Sequence, residues 1–269
     1  MSYNLLNGGR DNGSDERWRT AAEVINDAAP DVLVVQEARG FDADGGRYLY
    51  AAEHDLGMRG LLALAPSTGQ HTAVFFKTEI RPLRFDPDAD HFHHALAQVM
   101  LLVPGFDQPV TIASMHLSPF SPALRAAEVG WLAGLAAPDL YTVIAGDANS
   151  LAPGDPEPAW ERLPTHLRVR HLQPAAQGQA PAADRSTLAY LHAAGFIDAA
   201  AAQGQTATPT VPSAGFPKAE FVPFRSDHAL LSPRLAPALT NYRVIDDART
   251  ATASDHLPFV IELDPDTVR

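Results

Sequence analysis

Val143-Ile144-Ala145-Gly146-Asp147-Ala148-Asn149 is an apolar run that ends abruptly in a glycine, a carboxylate and a carboxamide. Val34-Val35-Gln36-Glu37 repeats the pattern, and Ser254-Asp255-His256 sets a carboxylate beside an imidazole just ahead of a late apolar run. Buried strands exist to pack, so polar groups at their tips lie at the edge of a core, where a site can form. Carboxylates suit a hard divalent cation, while Asp, Asn and His can orient water and phosphate oxygens. The set points to metal-assisted phosphoester hydrolysis.

Working outward, apolar periodicity predicts strands over residues 3–6, 32–35, 61–65, 72–76, 97–103, 110–115, 141–145, 229–231 and 259–263. Ser14 or Asp15 can cap a helix with Trp18, Ala21, Ala22, Ile25 and Ala28 on its apolar side. Ser121-Pro122 opens another, for which Leu124, Ala127, Trp131 and Leu135 form the expected buried stripe. A third helix is expected over 186–194. Residues 151–180 turn to Pro, Ala, Gln and Gly and read as loops and short helical pieces. Strand pairs and helices alternate in both halves. This favours an α/β fold in one domain, 1–269, with two sheets inside, helices outside and an excursion at about 151–223.

The 269 residues are enough for a substantial core, and 46% are hydrophobic. No apolar run is long enough to cross a bilayer, and no basic amphipathic helix suggests a stable membrane anchor. The N-terminus does not read as a secretory signal. With no cysteine, disulfides, thiolate metal sites and a cysteine nucleophile are excluded, and a cytoplasmic location is expected. The net charge is −12, with 20 Lys and Arg against 32 Asp and Glu, and Lys77 and Lys218 are the only lysines. That balance disfavours tight nonspecific binding to nucleic acid, although a local arginine patch plus a metal could still serve a nuclease.

Six motifs stand in order: Tyr3-Asn4-Leu5, Gln36-Glu37, His116-Leu117-Ser118, Gly146-Asp147-Ala148-Asn149, the looser Arg225-Ser226-Asp227-His228, and Ser254-Asp255-His256. Together they resemble the endonuclease/exonuclease/phosphatase superfamily, which includes pancreatic-type deoxyribonuclease, apurinic endonucleases, neutral sphingomyelinases and inositol polyphosphate phosphatases. The resemblance runs nearly end to end. It implies a four-layered α/β sandwich of two mostly antiparallel sheets flanked by helices, and one or two Mg²⁺ or Mn²⁺ ions. It implies Glu37, Asp255 and Asn4 as the metal side, and His116, Asp147, Asn149, Asp227 and His256 as the catalytic set. Phosphate contacts fall to Asn149, His116 and Arg225, with Arg10 and Arg17 as weaker candidates, Arg17 being expected on a solvated helix face.

Either Asp147 or the His256–Asp227 pair can serve as the base. His91, His93 and His94 read as part of a solvated loop, with a substrate lid second. His71 and His228 are possible cleft residues. A phosphatase or phosphodiesterase acting on a small-molecule, nucleotide or lipid-headgroup phosphoester is favoured. A DNA or RNA nuclease is the alternative, and a catalytically silent scaffold a remote one. The oligomeric state stays open.

Overall fold

The computed structural model describes residues 1–173 and 182–268. The stretch 174–180 of the loop region expected at 151–180 lies outside the described residues. In chain order the first half comprises β1 (Ser2–Asn4), α1 (Glu16–Ala28), β2 (Val32–Gln36), α2 (Ala43–Leu56), β3 (Met58–Ala63), β4 (Thr72–Lys77), β5 (Arg81–Asp88) and β6 (Leu96–Leu102). Then follow β7 (Val110–His116), α3 (Pro122–Leu132), β8 (Tyr141–Asp147), α4 (Ser186–Ala193), β9 (Ile197–Asp198) and α5 (Ala199–Ala202). The chain closes with β10 (Asp227–Leu231), β11 (Leu239–Val244), α6 (Thr250–Ala253) and β12 (Phe259–Leu263). Short 3₁₀ turns fill several connections.

Two six-stranded sheets form, in the orders β11-β12-β1-β2-β4-β3 and β5-β6-β7-β8-β10-β9. Each is antiparallel except for one central parallel pair, β1 with β2 and β7 with β8. Strand alternation sorts the side chains into layers. Val34, Val74, Phe76, Ile112, Val143 and Ala145 meet between the sheets. Leu33, Val35 and Phe75 face the other way, onto Trp18, Ala21 and Ile25 of α1. Met115, Ile144 and Leu230 likewise pack on Val129 and Leu132 of α3 and Leu188 and Leu191 of α4. The result is the expected four-layered sandwich, helix–sheet–sheet–helix.

The same parity positions the polar ends. Asn4, Gln36, His116, Asp147 and Asp227 continue the inward-facing series, so strand period alone turns them toward the opposite sheet. Gln36 crosses that gap. Its amide donates to Ser114 Oγ at 3.0 Å and its carbonyl accepts from Ser2 Oγ at 3.3 Å, so the buried carboxamide is satisfied at both ends. Gly146 makes room for it. A Cβ there would lie 2.0 Å from the Met115 carbonyl oxygen and 2.7 Å from Gln36 Nε2, on a backbone with φ of +139°. Gly146→Ala is therefore expected to cost about 2–3 kcal/mol through strain and overpacking, read as a lowered urea midpoint.

Several expectations need correction. The stripe expected on α3 is on its outer side except for Leu135, past the helix end, which packs on the core: Leu124 and Trp131 are 48% and 59% exposed. The buried face is Arg125, Glu128, Val129 and Leu132. Polar work explains the burial of a charged pair. Glu128 accepts from the backbone N–H of His93 and of Ser118, and Arg125 donates to the carbonyls of Ser118 and Arg170. Ser121 does cap α3, accepting from Leu124 N. Asp86 and Asp88, just ahead of the stretch that carries His91, His93 and His94, lie in β5, paired antiparallel with β6. Elements α2, β5, β9, α5, β11 and α6 were not apparent from the pattern. In α2 the first turn carries Asp44, Gly45 and Gly46 at positive φ, which hides the helical signal.

Candidate active site

The site forms where the carboxyl ends of the two parallel pairs converge. Within one sheet, His116, Asp147 and Asp227 are cross-strand partners in neighbouring strands, which sets three polar side chains in a row. From the other sheet come Asn4 at the end of β1 and Glu37 just past β2. Asp255 and His256 precede β12.

Asn4 is the hub. Its buried amide Nδ2 lies 3.3 Å from Asp147 Oδ2, 3.5 Å from Glu37 Oε1 and 3.5 Å from His256 Nε2. Its own Oδ1 accepts from Leu6 N, which fixes the amide orientation. Glu37 sits at φ +56°, an unfavourable conformation for a residue with a side chain, where the chain leaves the strand. Its Oε2 accepts from Asn7 N at 2.8 Å. Burial raises the Glu37 carboxyl. Asp255 and Asp147 add to that, while the Asn7 N–H and His256 oppose it.

Asp147 Oδ1 accepts from Ser226 Oγ at 2.7 Å and from Asn149 N at 2.8 Å. Its Oδ2 faces His116 Nε2 at 3.5 Å and His256 Nε2 at 3.7 Å. Extended geometry does not continue to Asn149. The chain turns there with φ +49°, and the Asn149 amide donates to the Leu117 carbonyl at 2.9 Å.

His256 Nδ1 meets Asp227 Oδ2 at 2.8 Å. Burial alone would lower this imidazole, but Asp227, Asp147 and Asp255 outweigh it and hold the ring well above its ordinary value. His116 behaves oppositely. Burial, with His256 and His93, pushes it down to about 3, and its buried Nδ1 has no hydrogen-bond partner among the described residues. The Asp255 carboxylate accepts from Ser254 Oγ at 3.3 Å, and Ser254 Oγ also donates to the Asn4 carbonyl, tying the closing motif to β1.

The arginines expected at the phosphate are engaged elsewhere. Arg225 is 2% exposed, and all its nitrogens are taken by Asp155 and Asp198. It therefore anchors the floor of the excursion and is not free to bind phosphate. Arg17, expected on a solvated face, donates to the carbonyls of Leu5, Leu6 and Ala253. Arg10 lies over the rings of Trp18, Phe41 and Tyr48.

The other histidines are also resolved. His228 is fully buried, with Nε2 on the Ser150 carbonyl. His71 Nδ1 accepts from Ala65 N and its Nε2 meets Asp42, so it clasps a loop. His94, expected in solvent, is buried and stacks on His116 with centroids 4.2 Å apart.

One group escaped the sequence reading. Glu220 is half-buried, and burial lifts its carboxyl to about 7. Asp147 and Asp255 add to the rise, and His256 and Arg170 oppose it. Only the field of the site identifies it, because nothing in Lys218-Ala219-Glu220 marks a site locally. Its Oε2 lies 3.8 Å from His171 Nε2.

His171 stacks on Trp160 and meets Phe224 edge-on, in the small core of the excursion. Burial, with Arg125 and Arg170, holds its imidazole down at about 3. The unfolded chain takes up this proton near pH 6.5, long before the folded one does. His171 therefore costs stability as pH falls from about 6.5 toward 3, at up to roughly 1.4 kcal/mol per pH unit. Glu220 acts with the opposite sign between about 4.5 and 7, so the comparison must be between variants. His171→Phe is expected to flatten the acid side of the melting-temperature profile relative to the native chain, and parallel profiles would contradict this.

The donor chemistry fits a divalent ion. Glu37, Asp147 and Asp255 offer the oxygen donors that such an ion takes, and Asp255 and Asp147 both disfavour charge on the buried Glu37. The one group of such side chains whose donor atoms lie within 4.8 Å of one another among the described residues is Asp147, Asp227 and His256. Within that group Asp227 and His256 are already hydrogen-bonded to each other.

No curated protein matches the chain. Among solved structures, an AP endonuclease from Archaeoglobus fulgidus superposes with TM-score 0.68 at 16% identity, covering 98% of both chains. A functionally unknown conserved protein from Enterococcus faecalis V583 gives 0.67 at 13%, covering 97% of both. A mannosyl-6-phosphatase from Bacteroides thetaiotaomicron VPI-5482 gives 0.64 at 17%, covering 97% of both. These likenesses carry the fold. The model of the endonuclease/exonuclease/phosphatase family matches residues 1–256, from the first strand to His256, and the chain belongs to that family of metal-dependent phosphoesterases.

Proposed function

We infer that the protein is a Mg²⁺- or Mn²⁺-dependent hydrolase whose substrate is a small-molecule, nucleotide or lipid-headgroup phosphoester. The observation that carries this reading is the Asn4 amide, which gathers Glu37, Asp147 and His256 within 3.5 Å at the junction of the two sheets. Glu37 and Asp255, supported by Asn4, hold the ion. When bound, the ion supplies Lewis-acid polarisation of the phosphoryl oxygen and neutralises charge on the leaving oxygen.

Asp147, its Oδ1 pinned by Ser226 and the Asn149 N–H, keeps Oδ2 aimed into the site to orient an attacking water. Asp227 fixes the His256 ring, so Nε2 presents a proton to a phosphoryl oxygen. Neutral His116 and Asn149 complete the phosphate contacts. The preference for a small substrate rests on the charge of −12 and on Arg10, Arg17 and Arg225 being engaged within the fold.

The test is a hydrolysis panel of sugar phosphates, nucleotides, phospholipids, RNA and plasmid DNA with Mg²⁺ or Mn²⁺, with chelator controls. Metal-dependent release from small esters is expected. Efficient DNA nicking with small esters untouched would replace this reading with a nuclease, and no release from any substrate with either metal would count against catalysis.

A further inference from the structure

A ladder of rings leads out of the site. The His116 ring stacks on His94 with a 24° interplanar angle. His94 meets His93 edge-on at 4.5 Å, and His93 meets Phe120 edge-on at 5.2 Å. Phe120 is 51% exposed at the outer end. The rungs are built. Thr68 Oγ1 lies 3.0 Å from His94 Nδ1. The buried Glu128 carboxylate takes the N–H of both His93 and Ser118, clamping together the two loops that carry the ladder. Burial lowers His93 and His94 alike, so the rings are uncharged at neutral pH.

A rigid row of neutral rings that begins at a site histidine and ends in an exposed phenylalanine is a surface on which a planar group can stack. We propose that the His93–Phe120 platform holds the base of a nucleoside monophosphate whose phosphate lies at His116 and Asp147. A single nucleotide is favoured over a strand because the chain is strongly acidic and Arg10, Arg17 and Arg225, the arginines expected at the phosphate, are engaged in the fold. The inference rests on the phosphoesterase reading and narrows it to one substrate class.

The experiment is calorimetric binding of adenosine 5′-monophosphate and ribose 5-phosphate to the full chain, with Ca²⁺ in place of the turnover metal. Stacking on one aromatic ring predicts about tenfold tighter binding of the nucleotide. In Phe120→Ala and His93→Ala the ratio of the two dissociation constants is expected to fall toward one. Substitution at His93 leaves its backbone N–H free to keep the Glu128 clamp. Equal affinities in the native chain, a ratio that survives both substitutions, or no binding of either ligand would each overturn the platform. Mg²⁺-dependent turnover of a phosphate monoester by the same preparation, absent in Glu37→Ala, tests the underlying reading separately. Turnover without base preference would thus count against the platform alone.

Discussion

Glu37→Gln is expected to lower metal-supported phosphoester turnover by roughly 10³-fold while leaving the melting temperature at or above that of the native chain. Glutamine keeps the shape of the side chain and an oxygen for the Asn7 N–H, so the loop after β2 retains its geometry. What disappears is one negative charge among three. The repulsion that Asp147 and Asp255 exert on Glu37 is relieved, and with it goes the free energy that a divalent ion gains by entering. Loss of activity with retained stability separates a ligand from a structural acid. Isothermal titration with Mn²⁺ should show weakened binding in parallel. Turnover within about threefold of native would end the assignment of Glu37 to the metal.

Arg225→Met tests the opposite kind of residue and should cost about 3–5 kcal/mol in urea unfolding. The guanidinium is buried between Asp155 and Asp198, whose side chains are equally inaccessible. Burial alone would raise Asp198, but His228 and Arg225 hold it well below the usual carboxylate range. Removing the cation strands two buried carboxylates. Asp198 also caps α5 through the N–H groups of Ala200 and Ala201, and Asp155 accepts from Ala152 N, so the damage spreads into the excursion. Adding Asp155→Asn and Asp198→Asn to the methionine variant should recover part of the loss. A single substitution costing under about 1 kcal/mol, with KM raised, would instead return Arg225 to the substrate.

These two residues mark where the sequence was readable and where it was not. The strand-end position of Glu37 was legible because Gln36 and then a carboxylate follow Val32-Leu33-Val34-Val35 and break a local pattern. The inward direction of Asn4, Asp147 and Asp227 follows from strand period, which is equally local. Arg225 sat in a matching motif, but its partners lie 70 and 27 residues away, and nothing local reports an ion pair of that reach. The α3 stripe failed for a related reason. Apolar periodicity selected Leu124 and Trp131, whereas the helix buries Arg125 and Glu128 because their partners are backbone groups of the preceding loop, at Ser118, and of distant segments, at His93 and Arg170. Long-range polar pairing overrode the local hydrophobic signal in both cases. Glu220 lies beyond local reading as well, since its field comes entirely from residues of other segments.

The Gln36 crossbeam has a thermodynamic meaning. Glu37 follows the last residue of β2 in one sheet and Asp147 ends β8 in the other, and the Gln36 carboxamide reaches from Ser2 to Ser114 across the gap, against Gly146. Severing it would leave each sheet, the apolar core between them and the Asn4–Asp147 contact in place, but remove one of the polar ties that fix their relative position. Ion affinity and substrate affinity would then be expected to lose part of their mutual dependence. Part of any cooperativity between the two ligands would thus run through a buried side chain that touches neither.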